Sequence, residues 1–116
     1  MAVTINELFN GSASISTTEY SLTNNSTTLT AQASSAALQI MLDLNALAAG
    51  DQYDLKIYEK CRSGGTQRMV DTWTLTGAQS GPIFVTPTIQ VKYGWEVTLK
   101  KITGTDRTIE WSLRSP

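Results

Sequence analysis

The chain contains no histidine. That removes the usual general base, the commonest zinc ligand and the Ser-His-Asp arrangement together. Acid–base chemistry would have to be done by carboxylates, and Glu59 with Asp71 is the pair to weigh. Both fall at apolar-face positions of a segment, 52–76, that reads as a hairpin. Two carboxylates held near one another can act as acid and base if burial splits their pKa values. The structural reading is simpler: Lys60, Arg62 and Arg68 are close in sequence, Arg107 or Arg114 is a further candidate partner, and an ion pair is expected. Metal binding would need oxygen ligands, because Cys61 stands alone. Asp43, Asp51 and Asp54 are neighbours in sequence but lack the calcium-loop spacing. Gly64-Gly65-Thr66 lacks the frame of a phosphate loop. The expectation is no catalytic residue, no cofactor, no metal site and no small-molecule substrate, hence not an enzyme.

Aromatic side chains are the other candidates. Trp73, Trp95 and Trp111, with Tyr20, Tyr53, Tyr58 and Tyr93, could line a carbohydrate groove. Each Trp, however, falls in phase with aliphatic neighbours on its own strand, which places it in a core. Tyr58 and Tyr93 sit out of phase with their strands' apolar faces and are the better candidates for partner contact. Leu8 and Phe9, in a short N-terminal segment, join them. Cys61 falls on the apolar side of its strand, so a buried small hydrophobe is expected there.

The elements that must position these residues are strands. Residues 52–62 alternate, with Tyr53, Leu55, Ile57 and Cys61 on one face, interrupted by Glu59. Ser63-Gly64-Gly65-Thr66 supplies the turn. Residues 67–76 return with Met69, Trp73 and Leu75 inward. Residues 37–44 alternate strictly through Leu38, Ile40, Leu42 and Leu44. The strict alternation decides for strand over helix, although Ala, Leu and Met favour helices. Residues 45–51 read as a turn. Pro87 divides the apolar run 83–91 into an edge strand, or two short strands meeting at a bend. Residues 95–102 put Trp95, Val97 and Leu99 inward and Glu96 and Thr98 outward. Residues 107–114 put Ile109, Trp111 and Leu113 inward, and the two segments read as a second hairpin. The Ser/Thr/Asn-rich stretch 12–30 alternates weakly, with a turn at Thr23-Asn24-Asn25-Ser26 and a further strand expected near 27–33. Residues 1–11 read as an arm, either a short helical turn or a segment that docks on a neighbour.

About eight short strands with regular turn signals predict an all-β fold, an antiparallel β-sandwich or jelly roll, in one domain over 12–116. The 116 residues are 41% hydrophobic but only 16% charged, below the usual quarter, and the net charge is −1. No basic excess exists to neutralise phosphates, so a nucleic-acid partner is not expected. Lys100-Lys101 and the Lys60/Arg62 pair read as solvated strand edges. No signal peptide and no membrane-spanning run are expected.

One group of residues carries a resemblance. Leu42-Asp43-Leu44 leads through Ala48-Ala49-Gly50-Asp51-Gln52-Tyr53 to Ile57-Tyr58-Glu59-Lys60. Pro87-Thr88-Ile89 follows, then Gly94-Trp95-Glu96-Val97-Thr98-Leu99-Lys100-Lys101. Gly104-Thr105-Asp106-Arg107-Thr108-Ile109-Glu110-Trp111-Ser112-Leu113-Arg114 ends the pattern. This resembles small virion proteins of tailed bacteriophages, of the capsid decoration or cement kind, over about two thirds of the chain (37–114). The resemblance implies a structural protein made in the host cytoplasm and carried on the capsid surface. Its implied partners are the major capsid protein and copies of itself, as a dimer or trimer. A glycan-binding accessory module of a phage tail or fibre is the alternative. It would require at least two of the three indoles exposed on one groove.

Overall fold

The computed structural model describes residues 4–116. Among these residues nine strands occur: β1 (Asn6–Ile15), β2 (Tyr20–Ser21), β3 (Ala36–Asp43), β4 (Gln52–Lys60), β5 (Gln67–Thr76), β6 (Ile83–Val85), β7 (Ile89–Val91), β8 (Glu96–Thr103) and β9 (Arg107–Ser115). They form two antiparallel sheets. One has the order β1-β9-β3-β6, with β7 also on β3; the other has β2-β8-β4-β5. Their inward faces share one core. Ile15, Leu38, Ile40 and Leu42 meet Tyr53, Leu55, Ile57, Val97 and Leu99 there, with Trp95 and Trp111 filling the space between. The all-β sandwich is therefore as expected, and the body is a slab of 41 × 39 × 20 Å.

The strongest alternating segments are where they should be. Leu38, Ile40, Leu42 and Leu44 are all buried. Pro87 separates β6 and β7, and both pair with β3 at the sheet's edge. The first hairpin turns at 63–66, where Gly64 takes the left-handed conformation (φ 78°) that the turn needs.

Four expectations need correction. First, β8 and β9 do not form a hairpin. β8 pairs with β2 and β4, and β9 with β1 and β3, so the chain crosses between the sheets at 104–106. Alternation says which face of a strand is buried; it does not say which strand lies beside it. Two inward-facing strands joined by a short turn satisfy the same pattern by facing each other across the core.

Second, residues 6–11 are not a helical turn or a separate arm but the first part of β1, an edge strand paired along β9. Residues 1–3 lie outside the described residues. The pairing is fixed by close packing, because Gly11 lies opposite Trp111 and a Cβ there would fall 2.3 Å from the indole. Third, residues 27–33 are not a strand. A single bridge, Gln32 to Trp95, is their ladder contact. Fourth, Glu96 and Thr98 are buried rather than solvent-facing. The segment after β1 crosses over their side of β8, giving Glu96 hydroxyl partners from Ser21 and Thr23.

Candidate functional site

The tip of the β4–β5 hairpin is the candidate site. β8 accompanies β4 only as far as Tyr58, which pairs with Glu96, so Glu59, Lys60 and the facing part of β5 run on past the sheet. The β4–β5 register shifts between Ile57, opposite Asp71, and Tyr58, opposite Met69. Val70 is the extra residue of that bulge. A bulge breaks the period of two and re-aims the side chains beside it. Met69, expected inward, is consequently 53% exposed, and Val70 is 51% exposed. Trp73 is half-buried, and only Leu75 keeps its place in the core.

The tip is tied to the body by a short strap. Lys60 N–H donates to the Tyr93 carbonyl at 2.9 Å. The Glu59 carboxylate accepts from Lys92 N–H at 2.6 Å and Tyr93 N–H at 3.2 Å. The Gln67 side chain donates to the Gly94 carbonyl at 2.7 Å. Above this strap lies a shallow depression of about 470 Å³, lined by Lys60, Cys61, Arg62, Arg68, Met69 and Val70 among others. Residues 60–70 carry Lys60, Arg62 and Arg68 and no acid. The chain holds ten acidic and nine basic residues in all, which leaves the remainder of the molecule at −4. Exposed apolar side chains and an excess of cations therefore meet at one projecting point, where Glu59, the one acid in the lining, is tied to the amides of 92–93. Apolar side chains with arginines are the composition of a protein-contact surface.

The structure separates the candidate acid–base pair. Asp71 lies opposite Ile57, whereas Glu59 lies opposite Arg68. Asp71 accepts from Thr72 N–H, and Glu59 anchors the strap. The expected ion pair is absent too: among the described residues the ion pairs are Lys101–Asp106 and Arg107–Asp51. Backbone amides at 92–93 meet Glu59 because the tip overhangs them, and Arg107 is taken by Asp51. Asp43, Asp51 and Asp54 do not converge, and no group of three metal-ligating side chains occurs among the described residues. Asp51 is buried and ties the 45–51 turn to the chain crossing. It accepts from Thr105 N–H (2.9 Å), Ala48 N–H (2.9 Å) and Arg107 Nε (2.7 Å). Those bonds, led by the one from Thr105, hold its carboxyl down at about 2.

Cys61 is exposed, contrary to expectation. β4 ends at Lys60, so the alternation that assigned Cys61 to the core no longer governs it. Tyr58 is half-buried. Its hydroxyl donates to Glu19 at 2.7 Å, and Thr98 donates to the same carboxylate. Burial, followed by Glu19, pushes the Tyr58 phenol up to about 12. It is thus committed to an internal network, whereas Tyr93 stands at the foot of the tip, with Lys92 Nζ 5.4 Å from its ring centroid. Leu8 and Phe9 belong to the other sheet. Leu8 is an exposed residue at the β1 bulge, while Phe9 packs edge-to-face on Trp95 at 6.1 Å.

The indoles do not form a groove. Trp95 is fully buried and its Nε1 donates to the Ser34 carbonyl; Trp111 is 4% exposed and donates to the Leu22 carbonyl. The residues that sequence reasoning missed are Arg62, Arg68, Met69 and Val70. The available signal was a run of residues, 60–70, with three cations and no acid. Comparison with protein-family models, with curated proteins and with solved structures finds no match for this chain.

Proposed function

We propose that this chain is a structural protein of a bacteriophage virion, a capsid decoration (cement) protein that binds the major capsid protein and stabilises the shell. The observation that carries the reading is the hairpin tip. Met69 and Val70 are held in solvent, and Arg62 and Arg68 flank them without a counter-ion among the described residues. Such a point suits insertion into an apolar, acid-rimmed depression on a larger assembly. A slab 20 Å thick adds little height to a surface on which it lies flat. A surface with few charges limits repulsion between crowded copies.

The experiment is co-sedimentation. Purified chain is added to heads isolated from the phage whose genome encodes it, depleted of the native copies. The expected result is pelleting at a fixed ratio to the shell subunit, with loss of binding in Met69→Asp and little change in Thr17→Asp, an exposed position outside the tip. A chain that remains in the supernatant, or a Met69→Asp variant that pellets like the wild type, overturns the reading.

A further inference from the structure

A second surface on the same chain mirrors the tip in charge. On the outer face of the β1-β9-β3-β6 sheet, Asp43 lies directly opposite Glu110. Like charges in directly paired cross-strand positions disfavour a sheet. Among the described residues neither carboxylate has an ion-pair partner within the chain. Asp43 accepts only from the nearby Asn45 N–H. Arg114, the cation nearest in the lining, donates its Nε to Ser112. The two acids border a hollow of about 190 Å³ whose lining also includes Met41 and Ile83. Ile83 is 52% exposed. The hollow therefore offers apolar side chains beside two anions and one cation, Arg114, that pairs with neither of them.

The geometry points to head-to-tail contact between copies of this chain, with the hairpin tip of one seated in the Asp43/Glu110 hollow of the next. Met69 and Val70 would cover Ile83 and Met41, and Arg62 and Arg68 would relieve the Asp43–Glu110 repulsion. The chain's path fixes why this contact is between molecules. β3 ends at Asp43, the chain reverses at 45–51, and β4 then runs back to end at Lys60. The tip and the hollow thus lie at opposite ends of the sandwich and on different sheets, so the tip cannot reach its own hollow. The two surfaces differ, so the contact is heterologous. It closes into a ring if the rotation per copy permits, and otherwise forms an open row. The inference rests on the reading of the chain as an assembly protein; copies meet through the tip in solution, and the shell's depression competes with the hollow for it.

The test uses two pairs of charge-removing surface substitutions. Arg62→Ser with Arg68→Ser disables the tip and keeps the hollow. Asp43→Asn with Glu110→Gln disables the hollow and keeps the tip, and the amide oxygen introduced by Asp43→Asn can still accept from Asn45 N–H. Sedimentation velocity is run on the purified full chain up to millimolar concentration in low salt, with circular dichroism to verify each fold. The wild type is expected to show concentration-dependent species larger than a dimer, lost at high salt because exposed ion pairs are screened. Each double variant alone is expected to remain monomeric. A mixture of the two is expected to give one-to-one dimers and nothing larger, since it holds one working tip for each working hollow. A wild type that stays monomeric throughout overturns the inference. So does self-association of either variant at wild-type strength, or a mixture that forms no dimer. Head co-sedimentation of the hollow-disabled variant reports the shell contact separately, so failure of self-contact and failure of shell binding give different results.

Discussion

Gly11→Ala sets two physical effects against each other with opposite signs. A glycine inside a strand is disfavoured by roughly 0.5–1 kcal/mol relative to alanine, so backbone entropy alone predicts a more stable protein. The new Cβ, however, would lie 2.3 Å from Cζ2 of Trp111, with two further indole atoms within 2.9 Å. The indole has little freedom to retreat. Its Nε1 is bonded to the Leu22 carbonyl at 3.0 Å and its ring packs edge-to-face on Tyr20 at 5.8 Å. Overpacking of this kind costs about 1–3 kcal/mol, and so severe an overlap belongs in the upper part of that range. The net expectation is a loss of about 2 kcal/mol. At roughly 4 °C per kcal/mol for a domain of this size, Tm falls by about 8 °C. Thermal unfolding followed by circular dichroism and tryptophan fluorescence reads the effect. Gly81→Ala is the internal control, since nothing lies within 4 Å of a Cβ at that position; it should leave Tm unchanged or slightly raised. A Gly11→Ala protein as stable as the wild type, or more stable, would refute the packing of β1 against β9 through Trp111.

Three further predictions concern titratable and reactive groups. Asp51 has a folded value of about 2 against an ordinary 3.8, so the stability it contributes is present above pH 4 and is lost as pH falls from about 4 to 2. Acid unfolding of Asp51→Asn should lose that component of its pH dependence, and an unchanged acid limb would contradict the assignment. Tyr58, at about 12 against an ordinary 10, contributes stability below pH 10 that is lost as pH rises from 10 to 12. Ultraviolet difference titration should show one phenol ionising near 12, moved toward 10 by Glu19→Gln. Cys61 should react stoichiometrically with a thiol reagent in the native state, and protection until denaturation would contradict its exposed position.

Much of the sandwich is legible because most of its strands have one buried face. Period-two patterns in β3, β4, β8 and β9 report burial directly, and the inward aliphatic and aromatic residues read from them are core residues, whereas Met69 and Cys61, also expected inward, are exposed and Trp73 is half-buried. Pairing is less legible. β8 and β9 read as a hairpin because each has an inward face and a short turn joins them, yet their hydrogen-bond partners lie in different sheets. Residues 16–35 carry almost no hydrophobic pattern. Their structure comes from long-range bonds such as Ser21 and Thr23 to Glu96, which no local period encodes.

The candidate site was hidden for a related reason. Strict alternation sends Met69 inward, and only the shift at Val70 sends it out. Lys60 and Arg62 look like ordinary solvated positions until the tip is seen to overhang the sheet. Asp43 and Glu110 are remote in sequence, and it is the β3–β9 register that sets them side by side.

The proposed role is tested most directly by a cryo-EM map of phage heads to which this chain has been added. The account predicts density for a 41 × 39 × 20 Å slab on the outer shell, with residues 61–70 buried against a neighbouring subunit. A map that places the chain elsewhere in the particle, or on the shell with that hairpin tip free in solvent, would contradict it.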